Sequence, residues 1–157
     1  MRVNKRTNIA VRVLMYCTVH RDKLVTKAEI ARSCNSSEHH LGQIVNQLAQ
    51  LGYLSTRRGR HGGLMLGMNP EDITLGTLFR HFESKGAIVE CFQESGNTCP
   101  LVNACRLRAS LQNAMEAFFA ALENVTVSDL VVDNTELAAL FDLPDDKAAV
   151  ASPEHAG

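Results

Sequence analysis

Between Thr26 and Leu66 the chain leaves room for few architectures. Thr26-Lys27-Ala28-Glu29 is a capping box: the threonine hydroxyl can accept from the Glu29 backbone N–H while the glutamate reaches back. It opens a short helix, Lys27 to Ser33, with Ala28, Ile30 and Ala31 as its small apolar contacts. Cys34-Asn35-Ser36 then makes a tight turn, and Ser36 or Ser37 caps a longer helix ending near Leu51. Leu41, Ile44, Val45, Leu48 and Leu51 recur at helical spacing along its inner side, and Gly52 suits the left-handed position past its end. Two helices joined by so short a turn predict a helix-turn-helix. Alternation through Tyr53-Leu54-Ser55-Thr56 and Leu64-Met65-Leu66 predicts a β-hairpin, with Arg57-Arg58-Gly59-Arg60-His61-Gly62-Gly63 at its tip. A hairpin placed directly after a helix-turn-helix is a winged helix.

The flanking segments complete a mainly α fold with this one small hairpin. Asn8 to His20 sets Ile9, Val13, Leu14 and Cys17 on one helical face. Asn69-Pro70-Glu71-Asp72 is a turn, and Thr74 caps a helix to about Glu83. Residues 85–99 read as loop, and Pro100 stands where a following helix can begin. That helix is predicted from Val102 to Asn124, with Leu107, Leu111, Ala114, Met115, Phe118, Leu122 and Val125 advancing by threes and fours. So long an apolar stripe asks for a twofold partner, so it is expected to be a dimerisation helix; the alternative is a helix packed along its own domain. The expected divisions are 1–83 for the winged helix, 84–106 for a cysteine loop and 100–125 for the dimerisation helix. Residues 126–143 read as short helical segments, and 144–157 as a disordered tail.

Charge separates two halves. Residues 1–65 hold 11 Lys/Arg against three Asp/Glu, a balance of +8, whereas residues 66–157 hold five against 14, a balance of −9. Only the N-terminal half is therefore suited to a polyanion. Glycines let the hairpin tip approach another surface closely, and guanidinium groups pair with phosphate or enter a narrow minor groove. Arg57, Arg58, Arg60 and His61 are accordingly candidate DNA contacts. Ser37, His39, His40 and Gln43, in the first turns of the second helix of the motif, are candidates for the major groove, and Asn46, Gln47 and Gln50 follow them on the same helix. No apolar run approaches the ~20 residues of a membrane span. The basic start lacks the apolar stretch of a signal peptide, so a cytoplasmic protein is expected.

Five cysteines make an odd number, and Cys91, Cys99 and Cys105 lie within 15 residues in a Cys-x7-Cys-x5-Cys pattern. Zinc sites usually pair short spacings such as Cys-x2-Cys, which this segment lacks. Three thiolates on a loop closed by a helix can hold an iron–sulphur cluster; zinc and free or redox-active thiols are the other readings of the spacing. Cys17 and Cys34, in helical and partly apolar contexts, read as structural. A thiol redox enzyme or switch would use the same cysteines, but the chain has no Cys-x2-Cys motif, no convincing acid–base constellation and no nucleotide-binding glycine loop. A winged helix that binds a metabolite, or uses zinc as a clip, is a third class.

Residues 1 to about 141 resemble the winged-helix iron–sulphur-cluster transcription regulators. The resemblance is carried by Arg57-Arg58-Gly59-Arg60-His61-Gly62-Gly63, Leu66, Ile73-Thr74-Leu75-Gly76 and Val89-Glu90-Cys91-Phe92. It continues in the same order through Thr98-Cys99-Pro100, Ala104-Cys105-Arg106-Leu107 and Asp129-Leu130-Val131. It implies a homodimeric, DNA-binding repressor with Cys91, Cys99 and Cys105 as ligands of an iron–sulphur cluster, four-iron in preference to two-iron, close to the partner's DNA-binding domain. His40-Leu41 and Cys105-Arg106-Leu107 look like the nitric-oxide-sensing members, which makes nitric oxide the expected signal. The opening Thr7 to Arg12 and Leu14 to Cys17 look like the rhizobial iron regulators, which makes iron supply the alternative. Some nitric-oxide sensors take a fourth ligand from an aspartate on the first helix; Asn8 stands there in this chain, a poorer ligand. The assembly regulators place a histidine three residues after the last cysteine, where this chain has Arg108. Asn8, Glu90, a water or an external thiol are the candidates for that position.

Overall fold

The computed structural model describes residues 3–83, 89–92 and 95–142. Helix α1 (Lys5–Val19) is followed by α2 (Lys27–Ser33) and α3 (Glu38–Gln50), and strands β1 (Leu54–Arg57) and β2 (Gly63–Leu66) then form an antiparallel hairpin. After a 3₁₀ turn at Pro70–Asp72 come α4 (Leu75–Glu83), a second 3₁₀ turn at Glu90–Phe92 and α5 (Arg106–Glu123). Two short helices, α6 (Val127–Val131) and α7 (Thr135–Asp142), complete the described chain. The arrangement is a winged helix with a long helix appended. The expected tail after 143 lies outside the described residues.

The local signals act where the sequence places them. Thr26 and Glu29 form the reciprocal capping box, and Thr126 with Asp129 builds a second one at α6. Ser37, rather than Ser36, caps α3, and Asn35 takes a positive φ of 48° that turns the chain between α2 and α3. Gly52 sits at φ 82°, the left-handed backbone that ends α3 without a Cβ penalty. Leu54 pairs with Leu66 and Arg57 with Gly63, and Val25 adds a bridge to Leu64 that fastens the hairpin to the start of the motif.

Two helices differ from their predicted bounds. α1 begins at Lys5 instead of Asn8, because the Asn4 side chain accepts from the Arg6 N–H at 3.0 Å and starts the helix earlier. The long helix begins at Arg106 instead of Val102. Cys105 is extended at φ −81°, ψ 106°, while Val102 and Ala104 close tight turns onto Cys99 and Leu101. α5 thus has 18 residues, about 27 Å at ~1.5 Å per residue.

The core sits between α1, α2, α3, the hairpin and α4, with Val13, Leu14, Ile30, Leu41, Ile44, Leu48 and Leu78 fully buried. It does not close at Glu83. Val127 of α6 is buried in the same cluster, and Val125, Leu130 and Phe141 pack against it. Backbone bonds from Leu75 N–H to Val125 (2.8 Å) and from Val127 N–H to Ile73 (2.9 Å) sew α6 to the start of α4. At the other end of α1, Tyr16 stacks on His20 at 4.3 Å and meets Phe141 edge-on at 5.2 Å, docking α7.

Candidate DNA interface and cysteine segment

The stripe that buries Leu41, Ile44, Val45 and Leu48 turns the opposite face of α3 outward. His39, Gln43, Asn46 and Gln50, spaced four, three and four apart, are all exposed there, and Ser37 is exposed at the cap. This row presents amide and imidazole groups of the kind that read base edges in a major groove. His40 is set apart from it. Four residues before the buried Ile44, it is half-buried, with Nε2 shielded from solvent and without a hydrogen-bond partner. Of the four residues expected at the groove, Ser37, His39 and Gln43 are exposed together, and His40 lies half-buried beside them. Gln47 is also diverted: it accepts from the Arg6 guanidinium at 3.0 Å, and its amide lies 3.5 Å from the His81 carbonyl.

The hairpin tip projects Arg57, Arg58, Arg60 and His61 into solvent. Gly59 has φ 108°, and a Cβ on Gly62 would lie 2.3 Å from the Arg57 carbonyl oxygen, so the tip's tight turn depends on both glycines. Among the described residues none of these three arginines meets a carboxylate. Their charge is left for an external anion.

What lies beside this face is marked by no motif in the sequence. A cleft of about 660 Å³ opens between α3, the start of α1 and the end of α4, lined by Asn4, Arg6, Gln43, Asn46, Gln50 and His81 among others. Glu83, at the end of α4, accepts from the Asn4 N–H at 2.8 Å and from the buried Thr7 hydroxyl. The chain leading to the cysteine segment is therefore tied to the helix that also holds Gln47 of α3. Only the adjacent basic pair Lys5-Arg6 hinted at a role for this end of α1.

The five cysteines fall into two groups. Cys17 and Cys34 are buried, and burial pushes their thiols up to about 12 and about 11 respectively. Burial that disfavours the thiolate suits both to the core rather than to a metal ion. Cys91, Cys99 and Cys105 are half-exposed, Cys91 on a 3₁₀ turn and Cys105 at the foot of α5. Among the described residues no set of three His, Cys, Asp or Glu side chains is gathered for a metal ion. Asn8 is exposed on α1; the Glu90 side chain lies outside the described groups.

A winged helix with an exposed polar row on α3 and a cationic hairpin tip is the architecture of DNA-binding transcription regulators. The chain belongs to the Rrf2 family, whose model, described as an iron-dependent transcriptional regulator, matches residues 3–133. It is similar to the HTH-type transcriptional regulator NsrR of Geobacillus kaustophilus, 39% identical over 142 residues that cover 90% of this chain and 97% of that one. The HTH-type transcriptional repressor NsrR of Streptomyces coelicolor is 41% identical over 149 residues, 92% and 99% of the two chains. Among solved structures, T. potens IscR superposes with a TM-score of 0.65 at 20% identity, covering 85% of this chain and 88% of that one, a likeness of fold. No described helix is long and apolar enough to cross a membrane.

Proposed function

We propose that this chain is a homodimeric transcriptional repressor whose operator binding depends on an iron–sulphur cluster held by Cys91, Cys99 and Cys105, with nitric oxide as its signal. The observation that carries the reading is the division of the cysteines: the three half-exposed thiols are the three in the Cys-x7-Cys-x5-Cys segment, and the two buried ones lie outside it. Three soft donors on a turn-rich backbone fit such a cluster by donor chemistry. Bound there, it supplies iron open to a diffusible ligand. Asn8, exposed at the start of α1, is a candidate for a fourth position.

What the protein's own residues contribute can be followed outward. Arg57, Arg58, Arg60 and His61 hold phosphate or a narrow groove, and Ser37, His39 and Gln43 approach base edges. Glu83, the last residue of α4, is tied to Asn4 at the cap of α1 and to Thr7 within it, and Arg6 of the same helix holds Gln47 of α3. Restraint of the segment by its three thiolates therefore reaches the reading helix through α1. The homodimer is supported by α5, where Leu107 is 63% exposed and Leu111, Met115 and Phe118 are half-buried, while Phe119 alone is buried. The repressor reading is supported by the similarity to the S. coelicolor transcriptional repressor, and nitric oxide by the resemblance at His40-Leu41 and Cys105-Arg106-Leu107.

A second reading, an iron-status sensor that regulates iron uptake genes through cluster loss, is favoured by the family's description as iron-dependent. Anaerobic native mass spectrometry, followed by operator binding under a nitric-oxide donor and under an iron chelator, tests both. A dimer with one cluster per chain, absent from Cys91→Ala, Cys99→Ala and Cys105→Ala, and released from DNA by nitric oxide, is expected. Release by the chelator alone selects the iron reading; cluster and regulation retained in all three variants would sink both.

A further inference from the structure

The junction between the DNA-binding head and the long helix is built more tightly than a simple connection requires. Gly76 lies in the first turn of α4, where glycine is a poor helix former and therefore calls for a packing reason. A Cβ at this position would lie 2.6 Å from the Phe119 carbonyl oxygen and 2.6 Å from Glu123 Cδ. Only glycine lets α4 approach α5 this closely. Around that contact Glu123 accepts from the Thr74 hydroxyl and from the Thr77 hydroxyl at 3.1 Å. One turn further on, Arg80 donates to both oxygens of Glu116, at 3.1 and 2.8 Å, with its guanidinium 4.7 Å above the Phe119 ring. The planar fork fixes direction as well as distance.

We propose that this α4–α5 joint, with Gly76 as its point of closest approach and Glu123 as its clamp, sets the angle between the reading head and the dimer axis, and so the half-site spacing that the operator must have. The inference rests on the homodimeric reading above. A dimeric helix-turn-helix protein accepts half-sites only at the separation its two recognition helices present. A tilt of about 10° at a joint moves a point ~20 Å away by about 3.5 Å, the axial rise of one base pair. Gly76, Glu123 and Thr77 thus act as positioning residues and touch no base.

The test uses the full-length protein and a panel of duplexes in which the gap between half-sites is lengthened or shortened by one and two base pairs. Binding is read by fluorescence anisotropy, alongside an isolated half-site duplex and the native mass of each variant. Gly76→Ala is expected to stay dimeric and to bind the half-site like the wild type, while its preference for the wild-type spacing falls about tenfold or moves to a neighbouring gap. Glu123→Gln and Thr77→Val should blunt the preference about threefold. Should Gly76→Ala fail to fold, these two variants carry the decision. An unchanged spacing profile in every folded dimeric variant overturns the proposal. A wild-type protein that is monomeric when DNA-bound shows this in its mass before any variant is made; the dimer reading then fails, and the proposal with it.

Discussion

The two ends of this chain spend their apolar residues differently. In the head, each amphipathic stripe finds its partner within the chain: α3 hides Leu41, Ile44 and Leu48 completely, and α1 does the same with Val13 and Leu14. In α5 the apolar row is as regular, yet Leu107 and Leu101 just before it stand 63% and 67% exposed. Charge follows the same division, cationic up to residue 65 and acidic beyond. A stripe covered from within specifies a fold; one left open specifies an association. The head's stripes are thus covered within the chain, by α6 as well as by its own helices, whereas part of the α5 stripe is left open.

The contrast can be broken most forcefully at the core. Ile44→Ala should lower stability by about 2–5 kcal/mol in urea unfolding, while Leu107→Ala stays within about 0.5 kcal/mol at concentrations below dimer formation. Equal losses would mean that α5 is packed as firmly as α3. Thiol chemistry sharpens the division next. Iodoacetamide at pH 8 should modify Cys91, Cys99 and Cys105 of the cluster-free protein at least ~100-fold faster than Cys17 and Cys34, because the thiolate is the nucleophile. The raised thiols carry a second consequence. Their contribution to stability is full below the ordinary thiol pKa of about 9 and is lost as pH rises through about 11 and about 12, so alkaline unfolding should steepen in that window and soften in a Cys17→Ala/Cys34→Ala protein.

Smaller effects are expected at the tip and at the caps. Arg58→Ala and Arg60→Ala should each reduce the slope of log affinity against log salt by about 0.9 and weaken all sequences alike. Unchanged slopes would remove the hairpin from the interface. Thr26→Ala should cost about 1 kcal/mol. Hydrogen bonds from Thr26 hold the Glu29 carboxyl below its ordinary value, so this cap contributes above the unfolded carboxylate pKa and fades as pH falls through the depressed one. A wild-type acid-unfolding curve that matched that of Thr26→Ala would discount the cap.

What the sequence disclosed and withheld follows from the range of each interaction. Capping boxes, the Asn35 turn and the glycine tip are encoded within a few residues, and the winged helix was legible from them. The start of α5 differs from its predicted place because Pro100 and Val102 satisfy helix-start rules that the turns around Cys99 and Leu101 override. His40 shares the first turn of α3 with His39 but is half-buried where His39 is exposed. One position is about 100° of rotation, which sets His40 at the flank of the exposed row. The ties from Glu83 to Thr7 and from Arg6 to Gln47 join residues 76 and 41 positions apart. No local pattern announces them.

The stitching of α6 to α4 bears on the order in which the chain is made. All the helices and strands from α1 to α4 have been synthesised by residue 83, but Val127, fully buried against them, is added more than forty residues later. Until then the nascent head has an open apolar flank between α1 and Ile73. At ~5–20 residues per second this interval lasts seconds, much longer than helices take to form. The head is therefore an early structure with a late lid, and a stall after α4 has emerged but before Val127 has done so would leave that flank open to a chaperone.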